Sequence, residues 1–319
     1  MDILQTAEAY ATYVQGFRNY AKTTVSSNRS TIRFFVSATG VHTLGCVTKD
    51  VAQGFLLYGR AKRNWSVWTY LTNLTRLNVF FAWCLKQGYV SENPFDGMEK
   101  PRLEKKLPRR LTRAEAERLL ATCQNMRYRD GFQRARSHAI IALMLYAGLR
   151  RAEVLNLERA HVDLQAGLLR VVHGKGGKDR NLPINENLTP ILETYLKVRD
   201  VDGIYNPYFF VSVQPGKPFS ERGIRRLFDK LKAHTGLDFS PHALRHTFAT
   251  LMLEGGCDIY SLSRLMGHSK ITTTTIYLAA SSELLARSIG KHPLGAQSPA
   301  PEPATGHLCR ALEAPGYSH

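Results

Sequence analysis

The sequence predicts a mainly α-helical chain of two domains that carries a small antiparallel β-sheet or hairpin. Three observations lead there. Residues 1–98 read as helices with polar breaks. A capping signature, Thr112 with Glu115 three positions on, opens a second helical region. One β-branched run around a glycine-rich turn then interrupts it. At 319 residues the chain exceeds one core of ordinary size and suits two.

Residues 1–98 form the first domain in this reading. Its clearest helix runs from Ser66 to Gln87, where Tyr70, Leu74, Leu77, Phe81 and Leu85 recur at steps of four and three. Gly88, Pro94 and Gly97 close the segment. Lys22, Arg29, Arg33, Arg60, Lys62, Arg63 and Arg76 stud this half and predict a basic face.

Residues 99–111 are charged, interrupted by Pro101 and Pro108, and lack apolar periodicity. They read as an extended basic linker whose Lys105, Lys106, Arg109 and Arg110 suit a polyphosphate backbone. The second domain spans 112–292 and is helical around "LLRVVHGKGGKDRNLPI", residues 168–184. There a Gly-Lys-Gly-Gly turn puts Lys175 at or near a hairpin tip, with Lys178 close by. Beyond Pro293 the composition turns to proline, alanine and small polar residues, so 293–319 reads as a disordered tail.

Forty-three Lys and Arg face 26 Asp and Glu, a formal charge of +17. Such an excess suits phosphate neutralisation with counterion release and points to nucleic acid. The five cysteines are odd in number, scattered, and never in a Cys-x-x-Cys pair. A disulfide framework or zinc ribbon does not follow, and a reducing cytoplasmic compartment does. No run of ~18 apolar residues is present for a membrane span, and the N-terminus lacks a secretory pattern.

Several short motifs compete for the chemistry. His242 and His246 in "SPHALRHTFAT" have the i,i+4 spacing of a zinc helix, but Ala243 stands where a metalloprotease needs glutamate, so no metal site is expected. Around "GKGGKD" a phosphate-binding P-loop fails, because the required upstream glycine and the Ser or Thr after lysine are both missing. His242 and Arg245, three apart, share a helical face and together suit a phosphate: one exchanges a proton, the other grips oxygens. "YAGLRRAEVLNL" places Arg150 at a helix start, with Glu153 within reach to orient it.

In chain order these become Arg150, Lys175, His242, Arg245, His268 and Tyr277. The set resembles that of the tyrosine recombinase, or phage-integrase-type, family in its Xer-like and small-integrase subgroup. "GLRRAE", "GKGGKDRNLPI", "SPHALRHTFAT" and "MGHSKITTTTIY" each fit one of its motifs, with Met266 for the usual leucine. The resemblance implies a two-domain clamp, with a helical core-binding domain and a mixed α+β catalytic domain. It further implies that Arg150, Arg245 and His268 serve the scissile phosphate, His242 with the arginines activates the tyrosine, Lys175 protonates the leaving oxygen, and Tyr277 is the nucleophile. Glu153 would support Arg150 from behind.

The partner implied is double-stranded DNA bearing specific recombination sites, with no cofactor or metal and no membrane. The assembly implied is a synaptic homotetramer, in which a C-terminal helix at about 281–292 docks on a neighbouring subunit. The setting implied is the cytoplasm, on the nucleoid. Two other readings stay open: a type IB topoisomerase-like enzyme that cuts and reseals one duplex, and a non-catalytic DNA-binding protein of the same fold. Thr272–Thr275 are expected to start a short helix, one hydroxyl capping its backbone N–H groups.

Overall fold

The structure is a computed structural model that describes residues 1–102, 109–172, 179–201, 206–214, 216–268 and 273–275. The chain separates into two compact units, dividing between Lys106 and Leu107.

The first unit is helical: α1 (Ile3–Gly16), α2 (Lys22–Thr39), α3 (Lys49–Ala61) and α4 (Val67–Lys86). Helix α4 begins where a side-chain acceptor is available, Ser66 Oγ taking the Thr69 N–H. Its buried stripe is Tyr70, Leu74, Leu77, Phe81 and Cys84, joined by Phe80 and Trp83. Leu85, expected on that stripe, is 41% exposed. A second consecutive step of four carries it off the face that a 4-3-4-3 alternation keeps. Aromatic rings fill the centre, with Phe35 edge-on to Phe55, Phe81 and Phe95, and Tyr10 against Phe80 and Trp83.

The second unit contains α5 (Arg113–Asn125), α6 (Gly131–Tyr146), α7 (Arg151–Leu155), β1 (Val162–Asp163), β2 (Leu168–Val171) and β3 (Arg180–Pro183). It continues with α8 (Thr189–Val201), α9 (Glu221–Thr235), α10 (Pro241–Glu254) and α11 (Ile259–Met266). The capping box at α5 forms as expected, Thr112 and Glu115 satisfying each other's backbone N–H. The second half of α6 is apolar all round and fully buried from Ala139 to Met144, so the helix is the post on which α5, α8 and α10 pack.

The hairpin strands pair antiparallel, with Leu169 opposite Leu182 and Val171 opposite Arg180. The two-residue strand β1 adds to β2 through Val162 and Asp163 and completes a small antiparallel sheet of three strands. Two residues are too few to show a period in sequence. Arg109 and Arg110 are held against the second unit by Asp238 and Glu254, and the Leu111 N–H donates to Thr247 Oγ1. The end of the basic stretch is therefore docked. Among the described residues no helix is long and apolar enough to cross a membrane.

Candidate active site

The site is assembled from the ends of α6, α7, α10 and α11, with β3 behind it. Gly148 closes the α6 turn at φ +61°, a conformation that excludes most side chains, and a Cβ there would lie 2.3 Å from the Phe248 ring. This turn aims the Gly148 carbonyl at Arg245, whose Nη1 donates to it. Arg150 follows as the residue preceding α7. Its backbone N–H donates to Glu153 Oε2 at 2.8 Å, and its Nη1 to Glu153 Oε1 at 2.7 Å. Its Nη2 reaches the Gly267 carbonyl at 3.4 Å.

Helix α10 starts at Ser240, whose Oγ accepts the Ala243 N–H, with Pro241 at its first position. One turn on, Arg245 is buried at 4% exposure and its Nη2 donates to the Met266 carbonyl. Helix α11 ends at Gly267, φ +61°, and the reversed chain lets the His268 N–H bond back to Ser263. Arg245 Nη2 also lies 3.3 Å from His268 Nε2, and His268 Nδ1 lies 2.9 Å from Thr274 Oγ1.

A guanidinium has only donors, so Nε2 accepts and Nδ1 carries the proton toward Thr274. The electrostatics agree with that tautomer. Burial first, then Arg245, Arg150 and Arg180, push the His268 pKa down to about 4, so the ring is neutral near pH 7.

Glu153 is the anionic hub. Burial alone would raise its pKa, but hydrogen bonds and charge from Arg180, followed by those from Arg150, overcome this and hold it at about 2. Arg180 Nη1 and Nη2 each donate to one carboxylate oxygen at 2.9 Å, and Arg245 Nη1 stands 3.9 Å away. Three guanidiniums share one carboxylate, leaving a net of two positive charges among these four groups. That is an anion-binding centre with preset donors.

Of the expected catalytic residues, Arg150, Arg245 and His268 come together, and Glu153 accepts a hydrogen bond from the Arg150 guanidinium. His242 lies on the exposed first turn of α10 and lines a cleft with Arg109, Asp238, Ser240 and His246. His246 behind it is pushed down to about 4, first by burial and then by His242 and Arg245. Lys175, Lys178, Lys105, Lys106, Tyr277 and the 281–292 segment lie outside the described residues.

Sequence reasoning missed Arg180, Gly148 and the role of Thr274. Strand alternation held the signal for Arg180, which shares a face with buried Leu182. Thr274, expected among the helix-capping hydroxyls, is fully buried and its hydroxyl faces His268. No sequence pattern specifies that contact.

The basic residues of the first unit are not uniformly available. Arg29 and Arg33 share Glu8, Arg76 donates to Thr31 Oγ1, Arg60 donates to the Trp65 carbonyl, and Arg63 lies over the Phe34 ring. Lys22 and Lys62 are exposed.

With this geometry in place, the relatives agree with one another. Residues 109–283 match the phage integrase family. The tyrosine recombinase XerD of Xanthomonas axonopodis pv. citri (strain 306) is 36% identical over 74% of this chain and 80% of its own length. Tyrosine recombinase XerC of Serratia marcescens is 33% identical over 86% of this chain and 89% of its own. In fold the chain is similar to the XerH site-specific recombinase bound to a palindromic difH substrate in a post-cleavage complex. That match has TM-score 0.72 and 19% identity, over 90% of this chain and 84% of the other. It is similar as well to a lambda integrase (75-356) dimer bound to a COC' core site, with TM-score 0.68 and 17% identity over 87% and 95% of the two chains. The clustered arginines thus sit in a chain that belongs to the phage integrase family as a tyrosine site-specific recombinase of the Xer-like kind.

Proposed function

We propose that this chain cuts and rejoins double-stranded DNA at specific sites through a 3′-phosphotyrosyl intermediate on Tyr277. The observation that carries the reading is the cationic centre of Arg150, Arg245 and Arg180 around Glu153, with neutral His268 at its edge. A scissile phosphodiester bears one negative charge, and its five-coordinate transition state spreads nearly two over the nonbridging oxygens. Preorganised guanidiniums stabilise the second state more than the first.

In the proposed step the Tyr277 oxygen bonds to phosphorus and the bond to the 5′-oxygen breaks. The phenolic proton leaves to a nearby base, and Lys175 gives a proton to the departing 5′-oxygen, which becomes a free 5′-hydroxyl. A phenol has a pKa near ~10, so it needs such a positive field to attack at neutral pH. His242 at the head of α10 is the candidate to relay the proton. His268 Nε2 accepts from Arg245 in the free chain; to donate to the phosphate it gains a proton, which the incoming negative charge favours.

Reversal by a 5′-hydroxyl of a second duplex completes recombination, because the phosphotyrosyl bond conserves the energy of the bond broken. This calls for several protomers, proposed as a synaptic tetramer with the 281–292 helix docked on a neighbour. The basic residues of 1–98 and of 99–111, with Lys178, then contact the DNA backbone. The domain plan follows: 1–98 grips DNA and 112–292 reacts. The site of action in this reading is the cytoplasm, on the nucleoid.

A DNA duplex nicked next to the scissile phosphate, so that the released fragment diffuses away, tests the reading. Wild type should accumulate a covalent protein–DNA adduct and Tyr277→Phe should not. Adduct from both, or from neither, removes Tyr277 as nucleophile. Deleting residues 281–292 should abolish pairing of two duplexes and spare single-site binding; unchanged recombination would sink the docking role. Relaxation of supercoiled DNA with no recombinant product would favour the topoisomerase-like alternative.

A further inference from the structure

We infer that Arg180 is a positioning residue that sets the geometry of the phosphate-binding groups from behind. The inference rests on Arg150, Arg245 and His268 being those groups. Arg180 stands on β3 opposite Val171, on the face that also buries Leu182, and its side chain is only 10% exposed. Its fork ties together two pieces of chain. Nη1 and Nη2 take both oxygens of Glu153, while Nε donates to the Leu265 carbonyl at the end of α11, each at 2.9 Å.

Two consequences follow from that placement. Arg150 and Arg180 both use Glu153 Oε1, and Oε2 is engaged by Arg180 and the Arg150 backbone N–H. The Arg150 guanidinium therefore meets the carboxylate through one nitrogen. With Arg180 removed, Glu153 is released to take Arg150 as a two-pronged pair, the stronger geometry for a carboxylate, and to draw it away from the phosphate.

The second consequence concerns the turn after α11. Leu265 is held by Arg180, and the next two carbonyls, Met266 and Gly267, receive Arg245 and Arg150. His268 follows directly. A Cβ on Gly267 would come within 3.0 Å of Arg180 Nη1, so the arginine is packed against the turn it holds. One buried guanidinium thus fixes Arg150 through Glu153, and Arg245 and His268 through the turn.

The test compares two nicked DNAs, one with an ordinary scissile phosphate and one with a methylphosphonate there. The methylphosphonate is uncharged and has a single nonbridging oxygen, so it demands less of the guanidiniums. Arg180→Met should slow adduct formation about 100-fold on the phosphate, as displacements of ~1 Å do. On the methylphosphonate the slowing should be under ~10-fold, because less charge awaits stabilisation. Site binding should stay as in wild type on both DNAs.

Arg180→Lys keeps the charge without the fork and should fall between; it carries the same comparison should Arg180→Met not fold by circular dichroism. Equal slowing on both DNAs, or no slowing on the phosphate, would overturn the inference. Wild type that forms no adduct on either DNA would instead overturn the catalytic reading beneath it.

Discussion

Replacing Glu153 with glutamine removes the one carboxylate around which Arg150, Arg180 and Arg245 gather. The size of the loss follows from the site in two ways. The carboxyl is held at about 2 against an ordinary 4.5, and at ~1.4 kcal/mol per unit this corresponds to about 3 kcal/mol of folding free energy. Removing one partner from a buried ion pair costs about 3–5 kcal/mol by mutational precedent. The two routes agree. The sign is set by a folded-state pKa below the unfolded one: the contribution is complete above pH 4.5 and disappears as pH falls toward 2.

Urea unfolding at pH 7 measures the effect. All three tryptophans, Trp65, Trp68 and Trp83, belong to the first unit, so their fluorescence follows that unit while far-ultraviolet circular dichroism follows both. Glu153→Gln should shift the dichroism transition by about 3 kcal/mol, with a smaller shift in fluorescence. The gap between variant and wild type should narrow progressively below pH 4.5. A loss under ~1 kcal/mol, or a gap that does not depend on acid, would refute the hub assignment.

Other outcomes follow from neighbouring residues. Gly148→Ala puts a Cβ 2.3 Å from the Phe248 ring at φ +61°, and should cost about 2–4 kcal/mol in the same urea assay while slowing adduct formation. Thr274→Val keeps the volume and removes the hydroxyl partner of His268 Nδ1; adduct formation should slow about 5-fold, as for a lost hydrogen bond of ~1 kcal/mol. His268, held at about 4 when folded against 6.5 when unfolded, makes wild type lose stability as pH falls from 6.5 toward 4. His268→Gln should flatten that part of the melting-temperature profile. Leu77→Ala empties a fully buried position in α4 and should cost about 2–5 kcal/mol, read by tryptophan fluorescence.

How much of this was legible in advance depends on whether a feature is local. Helix α4 was readable from its period and from the serine that caps it, because both act within a few residues. The stripe failed only at Leu85, where one step too long turned the side chain to solvent. Arg150 with Glu153 was readable because three residues of helix bring them face to face. Arg180 joins the same carboxylate across 27 positions of chain, and its contact depends on a strand register that no local pattern specifies. The meeting of Arg245 with Gly148, Met266 and His268 is tertiary in the same way. Of these, only Arg245 and His268 are grouped by the resemblance of the ordered motifs to a known family.

The measurement that bears most directly on the central claim is the chemical identity of the protein–DNA linkage. The trapped adduct is digested with protease and nuclease, and the surviving peptide–nucleotide is sequenced by mass spectrometry. The account predicts a phosphodiester joining the Tyr277 phenolic oxygen to a DNA 3′-phosphate, with a free 5′-hydroxyl on the released strand. Linkage through any other residue, or through a 5′-phosphate, would contradict it.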